Sequence, residues 1–319
     1  MKSSAMANEP RVAIIVLNWN GADDTIKCVN SLLKLTYQNR RIIIVDNASE
    51  GDDVLRINTS VGQYVELIEN SVNSGYAGGN NTGMRHALNG DCDYIWVLNN
   101  DVTVDPNSLS ALVSSTDNNF RLGVIGSTIY FPGKSKLYCI GGGLINLWTG
   151  VDRLIGAGKK ISLDRVKKPR HLDYINGAAF FLSTKVIRRI GMFDEAFFLY
   201  SEESDFCQRA RQVGFQIDTA TDSVIEHASA QSSQHLSKTY IYYFLRSKLI
   251  FQKKHGHWWQ WPTFTLVFLI YYCLGFGIKS WAVNRNARFS VITQAIIDFL
   301  HGRLGKREIQ PQRRLHQDL

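Results

Sequence analysis

The sequence of 319 residues lacks the features that mark several large classes of protein. Its five cysteines are scattered without a Cys-x-x-Cys pair, which argues against a disulfide framework and against a zinc site. A reducing cytosol fits this use of cysteine best. The first ten residues have no apolar stretch behind a basic start, so we expect no secretory signal. We also find no internal repeat and no low-complexity tract.

A glycine fingerprint is missing from the first strand-turn-helix unit. Residues 12–17 form an apolar run typical of a strand buried on both faces, and an amphipathic helix follows. The turn between them, Asn18-Trp19-Asn20-Gly21, has one glycine and a bulky Trp. A dinucleotide fold needs several glycines there, because backbone must approach a pyrophosphate. A nucleotide-binding dehydrogenase is therefore disfavoured, although binding of NAD would revive it.

Three further apolar segments end in polar residues and predict a mostly parallel α/β sheet. Residues 41–45 end in Asp46-Asn47, a strand near residues 65–68 leads to an Asn- and Gly-rich stretch at 73–81, and residues 94–98 end in Asn99-Asn100-Asp101. Strands that alternate with helices are typical of a doubly wound sheet. Such sheets bind ligands at the carboxyl ends of their strands. We therefore expect a ligand site at this edge.

The Asn-Asn-Asp motif has two readings. A carboxylate at a strand end, as Asp101 is, can hold a hard cation against a diphosphate. Asn and Asp also favour ordinary turns for local hydrogen-bonding reasons. The stretch at residues 73–81 is similarly ambiguous: as a loop it can present backbone N–H groups to a nucleotide sugar, but Gly-Gly-Asn is also common in loops of any kind.

Four motifs in order resemble the nucleotide-sugar half of family 2 inverting glycosyltransferases, especially rhamnosyltransferase-like members. They are Val-Leu-Asn-Trp-Asn (16–20), Val-Asp-Asn-Ala-Ser (45–49), Asn-Ser-Gly-Tyr-Ala-Gly-Gly-Asn-Asn (73–81) and Leu-Asn-Asn-Asp (98–101). Each motif is weak alone, but four in sequence are strong. The resemblance covers about residues 10–230 and implies a GT-A fold, which is a Rossmann-like, mostly parallel central sheet flanked by helices.

The resemblance also implies which residues bind the substrates. Asp46 would recognise the pyrimidine base, residues 73–81 would lie along the nucleotide sugar, and Asp101 would hold the metal-diphosphate. Gly177 belongs to a strand that resembles the one ahead of the family's acceptor region, although small residues in a strand also serve packing. The predicted substrate-binding residues are Asn18, Asn20, Asp46, Asn47, Asn73, Gly75, Gly78, Asn80, Asn99, Asn100 and Gly177.

Acidic residues cluster at the start of a predicted helix that Gly214 ends. Acids in a first turn need no catalytic explanation, since they cap the helix and complement its dipole. In the resembled family the second acid of this motif is the general base, which assigns that role to Glu203, with Glu202 as the fallback. The usual residue there is Asp, so Glu203 adds one methylene of reach.

His227 follows Glu203 by 24 residues in the sequence. A lone His is more often structural than a ligand. The resemblance implies that His227 completes a metal site with Asp101, and it makes Mg²⁺ or Mn²⁺ the expected cofactor. The family's usual Asp-x-Asp is Asn-x-Asp in this chain. With one carboxylate fewer, free metal should bind weakly and arrive with the nucleotide sugar.

Residues 236–319 differ from the rest in charge and hydropathy. They hold 13 of the 36 Lys and Arg residues but 3 of the 28 Asp and Glu residues. Their aromatic residues are mixed with aliphatic ones, so we expect no nucleic-acid partner. Residues 258–278 are uncharged and long enough to cross a membrane, with tryptophans at one end. The sequence therefore predicts a catalytic domain at 10–235 and a basic, aromatic helical region at 236–319.

The distribution of charge favours helices that lie in the cytoplasmic leaflet over a membrane span. A single crossing would place the basic residues 279–314 on the side opposite Lys253 and Lys254, against the positive-inside tendency. An amphipathic pattern at residues 291–300 fits helices lying in or dipping into the interface. A single span and a soluble helical subdomain are the alternatives.

The sequence thus predicts an inverting glycosyltransferase at the cytoplasmic face of the membrane. It would move a sugar, with rhamnose from dTDP-rhamnose as first choice from the resemblance, to a hydroxyl of a glycan or lipid-linked saccharide in cell-surface polysaccharide synthesis. Base catalysis by Glu203 and a metal at the leaving diphosphate would support charge at both ends of the transition state. The alternatives are another donor such as a UDP-linked sugar, and an inactive sugar-nucleotide-binding protein, motivated by Asn99 and Glu203.

Overall fold

The computed structural model describes residues 9–117, 119, 121–228, 237–282 and 288–307. The chain forms two compact units, which are described one after the other. The first comprises residues 1–145, 152–195 and 202–232, and the second comprises residues 146–151, 196–201 and 233–319. The two short segments at 146–151 and 196–201 lie within the range that the sequence assigned to the catalytic domain.

The first unit alternates strands and helices along most of its length. Its elements are β1 (Val12–Asn18), α1 (Ala22–Leu32), β2 (Arg40–Asp46), α2 (Asp53–Val61), β3 (Glu66–Glu69), α3 (Gly75–Leu88), β4 (Tyr94–Asn99), β5 (Val102–Val104), α4 (Ser108–Ser114), β6 (Leu122–Tyr130), β7 (Leu137–Ile140), β8 (Gly142–Asn146), β9 (Val151–Leu154), β10 (Tyr174–Ile175), β11 (Ala179–Ser183), α5 (Thr184–Ile190), α6 (Glu202–Gln212) and β12 (Gln216–His227).

In the described part of the chain, nine strands form the main sheet. Their order is β3-β2-β1-β4-β11-β6-β12-β5, with β7 paired to β6, and a separate small sheet has the order β10-β8-β9. The pairs β1–β2, β1–β4 and β2–β3 are parallel, as the alternating pattern predicts. Strand β11 lies antiparallel between β4 and β6, and β5 lies antiparallel to β12. The sheet is therefore parallel in its amino-terminal part and mixed beyond β4.

Both faces of the main sheet are buried. Val12, Ile14 and Val16 of β1 enter one apolar cluster, whereas Ala13 and Ile15 enter the other. Since alternate residues of a strand point to opposite faces, helices must cover both sides. This explains why the strands read as continuous apolar runs rather than as alternating patterns.

Helix α3 corrects one expectation from the sequence. The loop expected through residues 73–81 is wrong, because the helix begins at Gly75. Glycine is a poor helix former, which favoured a loop in the sequence reading. Packing explains its use: a β-carbon at Gly79 would lie 2.5 Å from Leu17 Cδ1, and one at Gly83 would lie 2.6 Å from Ile15 Cγ2. The glycines let α3 lie directly on the sheet.

The second unit is helical. Its helices are α7 (Lys238–His255), α8 (Trp261–Val267), α9 (Gly275–Ala282) and α10 (Arg288–Leu300), with a 3₁₀ turn at Trp258–Gln260 and a π-helical stretch at Phe268–Leu274. Asp298 of α10 is fully buried and accepts a 2.7 Å hydrogen bond from the hydroxyl of Tyr242. This contact holds α10 against α7.

The segments 146–151 and 196–201 pack on α7 within this unit. The ring of Phe198 stacks on Tyr243 with centroids 4.7 Å apart, and Ser247 Oγ donates to the carbonyl of Leu199 at 2.8 Å. Lys248 Nζ donates to the carbonyl of Gly150 at 3.0 Å. These contacts join residues distant in sequence, which is why a division by composition does not reveal them.

Residues Trp258–Ile278 include a largely exposed apolar surface. Among the described residues, this helical segment is the one long and apolar enough to cross a membrane, and 22% of its most apolar window is buried. Its large exposed side chains are Trp258, Trp259, Leu266, Leu269, Ile270, Tyr271, Leu274 and Ile278. Burying this surface in lipid would be favourable, because free energy is gained when apolar area is removed from water.

Candidate active site

The ends of β1 and β2 carry a buried polar network. In the parallel register Asn18 lies beside Asp46, and Asn18 Nδ2 donates to Asp46 Oδ1 at 2.7 Å. The Asp46 carboxylate also accepts hydrogen bonds from the hydroxyl of Ser49 at 2.6 Å and from its backbone N–H at 2.9 Å. The strand register therefore brings together two residues that the sequence proposed for the donor site.

Asp53 completes this network and was missed by the sequence analysis. Its Oδ2 accepts from the backbone N–H groups of Gly21 at 2.7 Å and Ala22 at 3.1 Å, so it caps α1 from another helix. The N-cap residue of α1 is a glycine, which has no side chain to accept from these N–H groups. The need for another acceptor was the signal in the sequence that could have identified Asp53. Asn100 Nδ2 donates to Thr25 Oγ1 at 3.1 Å, which adds the third strand end to the network.

Other predicted donor-site residues fix the start of α3. Asn47 Nδ2 donates to the carbonyl of Gly75 and to Asn73 Oδ1, each at 3.1 Å. Asn73 Oδ1 also accepts from the backbone N–H of Gly75 at 2.8 Å. Asn20 has a positive φ of 52°, and its N–H donates to Ser49 Oγ at 2.9 Å. These side chains shape the edge of the sheet, and their contact with substrate stays a prediction.

Gly78 and Asn80 lie inside α3. A β-carbon at Gly78 would approach Ser74 Cβ to 2.6 Å. The Asn80 side chain is fully buried, and its Nδ2 donates to the carbonyl of Tyr76 at 2.9 Å. Asn80 therefore supports Tyr76 within the helix rather than facing solvent.

Asp101 and His227 lie side by side. Strand β5 starts directly after Asp101 and pairs with the end of β12, with Val102 opposite His227. Asp101 Oδ1 is 3.2 Å from His227 Nε2, and both side chains are mostly buried. Asn99 Nδ2 is 3.3 Å from the same ring nitrogen. The structure therefore brings the two predicted metal ligands together through strand pairing.

This pair suits a metal that binds together with its substrate. A carboxylate oxygen and an imidazole nitrogen are ligands that Mn²⁺ and, through the carboxylate, Mg²⁺ accept in proteins. Within the described ranges, no group of three or more His, Cys, Asp or Glu side chains is placed to hold a metal ion. Two protein ligands leave most of the coordination sphere to water and phosphate oxygens. The residues present thus fit a cation that arrives with a diphosphate.

The three acids at the start of α6 differ in their surroundings. Asp205 is fully buried and accepts from Arg209 Nε at 2.7 Å, which makes it a structural ion pair. Glu202 is also buried, and burial together with the nearby charge of Glu203 raises its pKa well above the usual range. Glu202 Oε2 has no hydrogen-bond partner among the described residues. Burial of a carboxylate with one oxygen left without a hydrogen bond favours its protonated form.

Glu203 lies beside Gly177. A β-carbon at Gly177 would be 3.8 Å from the carboxyl carbon of Glu203 and 3.1 Å from the hydroxyl of Tyr76. The Tyr76 hydroxyl donates to the carbonyl of Gly177 at 2.6 Å. Next in the chain, the carbonyl of Ala178 accepts from the N–H of Asn99 at 3.2 Å. The acid end and the Asp101 end of the site are therefore adjacent along the sheet edge.

Two tyrosines of the site were not identified from the sequence. Burial, with the charges of Glu202 and Glu203, raises the pKa of Tyr76 well above its usual range. Tyr138 of β7 contacts the His227 ring edge to face, with centroids 5.5 Å apart. Tyr76 lies inside the motif at residues 73–81 and could have been singled out there. Tyr138 is in an unremarkable strand, and only its pairing with β6 brings it to the site.

The chain is similar to known glycosyltransferases. The family model described as glycosyl transferase family 2 matches residues 13–189. The low-salt glycan biosynthesis hexosyltransferase Agl10 of Haloferax volcanii is 26% identical and aligns over 93% of each chain. The N-acetylglucosaminyl-diphospho-decaprenol L-rhamnosyltransferase of Mycobacterium tuberculosis is 21% identical over 78% of this chain and 86% of its own.

A solved structure shows the same fold. The mannosyltransferase PcManGT from Pyrobaculum calidifontis, in complex with GDP-Man and Mn²⁺, superposes with a TM-score of 0.54 at 13% identity, over 92% of this chain and 88% of its own. The α/β GT-A fold implied by the four motifs is thereby confirmed. Because the family model covers more than half of the residues, the chain belongs to glycosyl transferase family 2 and is a glycosyltransferase.

Proposed function

We propose that this glycosyltransferase moves a sugar from a nucleotide sugar to a hydroxyl of a glycan or lipid-linked saccharide, with inversion at the anomeric carbon. The observation that carries the proposal is the order of groups along one sheet edge. The Asn18–Asp46 network is followed by the Asp101–His227 pair, and Glu203 lies beyond it next to Gly177. Nucleotide, diphosphate and acceptor would occupy these positions in that order.

Relatives support the substrate class. One matching protein is named as a hexosyltransferase of glycan biosynthesis. Another is named as a rhamnosyltransferase of an N-acetylglucosaminyl-diphospho-decaprenol. A role in glycan biosynthesis, with dTDP-rhamnose as the first donor to test, follows from these likenesses and the four motifs. Transferases of one family that are 21% identical often use different donors, so UDP-linked sugars are included in the same test.

Glu203 would act as the general base. It would take the proton of the acceptor hydroxyl while that oxygen attacks the anomeric carbon from the face opposite the leaving diphosphate. Glu202 assists by remaining protonated, because its burial raises its pKa and a neutral neighbour leaves the negative charge on Glu203. The space beside Gly177 would admit the acceptor hydroxyl, since any larger residue would approach both Glu203 and Tyr76.

Asp101 and His227 would hold Mg²⁺ or Mn²⁺. When bound, such a cation offsets the negative charge that builds on the departing nucleoside diphosphate. Asn99, where the family usually has Asp, contributes an amide beside His227. With one charge fewer than two carboxylates provide, the site should be filled mainly in the presence of the nucleotide sugar.

The second unit would bring the enzyme to the cytoplasmic face of the membrane. Its exposed apolar side chains on residues 258–278 could enter the acyl region, and Lys253 and Lys254 stand directly before them in the sequence. Trp258 is 80% exposed, which suits a residue that anchors at the headgroup level. A peripheral or monotopic attachment would bring the enzyme to the membrane that carries a lipid-linked acceptor, without a membrane crossing.

A nucleotide-sugar panel with the full chain tests the proposal. The protein would be incubated with Mn²⁺, vesicles carrying polyprenyl-diphosphate saccharides, and dTDP-rhamnose, UDP-glucose, UDP-N-acetylglucosamine or GDP-mannose in turn. We expect mass spectrometry to detect the acceptor extended by one sugar for one donor, and NMR of that product to show the anomeric configuration inverted. Binding of a nucleotide sugar without any transfer would instead support the inactive, sugar-nucleotide-binding alternative.

A further inference from the structure

Tyr138 lies between the two ends of the candidate active site. Strand β7 pairs antiparallel with β6, and its neighbours Leu137 and Cys139 are buried in the core. The pairing of β7 with β6 is irregular at Tyr138, which falls between the pairs Cys139–Ile129 and Leu137–Tyr130. Its ring contacts the His227 ring at 5.5 Å and the Phe131 ring at 5.6 Å, both edge to face.

The hydroxyl of Tyr138 accepts a hydrogen bond and still has a proton to donate. Asn176 Oδ1 already accepts from the N–H of Ala178 at 3.0 Å, so the amide NH₂ is the group that Asn176 offers to Tyr138. A tyrosine hydroxyl is both donor and acceptor, so one that accepts from Asn176 keeps its own proton for a second partner.

Tyr138 lies beside the position that the transferred sugar would occupy. In a single displacement the reacting sugar must lie between the leaving diphosphate and the attacking hydroxyl. The ring of Tyr138 touches His227 at the proposed diphosphate end. Its hydroxyl faces Asn176, which is adjacent to Gly177 and hence to Glu203 at the acceptor end. The Tyr138 side chain thus extends from His227 to Asn176, between the two ends.

We propose that the Tyr138 hydroxyl donates a hydrogen bond to a hydroxyl oxygen of the transferred sugar and so helps to select the donor. The inference rests on the proposed function, because it takes the donor to be a nucleotide sugar. It adds a contact to the sugar itself, whereas Asp46, Asp101 and His227 serve the nucleotide and its diphosphate. The ring of Tyr138 would in addition keep the imidazole of His227 in place.

Tyr138→Phe tests the hydroxyl while keeping the ring. Affinities would be measured by titration calorimetry with Mn²⁺ for matched pairs: dTDP and dTDP-rhamnose, UDP and UDP-glucose, GDP and GDP-mannose. We expect the affinity for the cognate nucleotide sugar to fall about 3- to 10-fold, the range for one lost hydrogen bond. The affinity for the nucleoside diphosphate alone should change less than about 2-fold. Tyr138→Leu, which also removes the ring from His227, should weaken both ligands.

Tyr130→Phe is the matched control. Tyr130 is in the adjacent strand β6, and its hydroxyl donates to the carbonyl of Ile161 at 3.2 Å. Loss of that hydroxyl should leave both affinities unchanged. Equal weakening of nucleoside diphosphate and nucleotide sugar in Tyr138→Phe would overturn the inference, and so would unchanged affinity for both.

Donors deoxygenated at single positions keep the test decisive if Tyr138→Phe does not fold. One deoxy donor should bind the wild type about 3- to 10-fold more weakly than the parent donor does. Where Tyr138→Phe folds, binding of that deoxy donor should lose nothing further in the variant. If no deoxygenation weakens binding to the wild type, the inference is wrong. A wild type that binds no nucleotide in the panel would refute the proposed function itself, and that result is visible before any variant is made.

Discussion

Replacing Glu203 by Gln is the sharpest test of catalysis. Gln keeps the size and the hydrogen-bonding capacity of the side chain but cannot take up a proton at neutral pH. General-base catalysis contributes at least ~10² to a rate, which corresponds to about 2.7 kcal/mol of transition-state stabilisation. Burial favours the protonated form of Glu202, so we do not expect it to replace Glu203 as the base. We therefore expect transfer to fall by ~10² or more while donor affinity stays nearly constant.

Single-turnover transfer and donor affinity, measured on the same preparations, separate chemistry from binding. Asp205→Asn is the matched control, because it removes a carboxylate two residues further along the same helix. That change breaks the ion pair between the buried Asp205 and the partly exposed Arg209 and should cost about 3 kcal/mol of stability, with transfer per folded molecule preserved. A Glu203→Gln enzyme with near-normal transfer would refute the assignment. A collapse confined to Glu202→Gln would move the base to Glu202.

Three further expectations concern stability, metal and membrane. The pKa of Glu202 is raised in the folded protein. The contribution of Glu202 to stability is therefore full below its pKa in the unfolded state and is lost as pH rises through its pKa in the folded state. Glu202→Gln should raise the melting temperature more at pH 8 than at pH 5, and an equal shift at both would contradict this. Asp101→Asn should nearly abolish transfer, His227→Ala should cost less, and EDTA should inhibit the wild type, whereas unchanged rates in EDTA would leave both residues structural. Ile270→Glu with Leu274→Glu should reduce co-flotation with anionic vesicles without lowering nucleotide affinity, and undiminished flotation would exclude this surface as the anchor.

The sequence predicted those parts of the site that follow from local pattern. Asn18, Asp46 and Asp101 each follow an apolar strand. Such a polar residue indicates the sheet edge, because a buried strand must be apolar while the residues at its end can be polar. The pairing of Asp101 with His227 came from the resemblance alone. Its physical cause is the register of β5 on β12, a contact between residues more than one hundred positions apart that spacing does not encode.

Features that depend on tertiary packing were not predictable. The glycines of α3 led to the prediction of a loop, because glycine has a low intrinsic helix propensity. In the fold these glycines are required by the close approach of the helix to Leu17 and Ile15. Asp53 caps α1 from another helix, and Tyr138 reaches His227 from a strand without any motif. In each case the partner is supplied by a distant part of the chain.

The division of the second unit among three stretches of sequence has a consequence for how such enzymes can be rebuilt. If the second unit were one continuous stretch after the catalytic domain, it could be exchanged between homologues as a single segment. Phe198 and Gly150 instead find their partners on α7, so cutting the chain near residue 235 would strip both segments of their contacts and leave an aromatic ring in water. Chimaeras that graft a foreign tail should therefore recover solubility only when residues 146–151 and 196–201 are transplanted along with it.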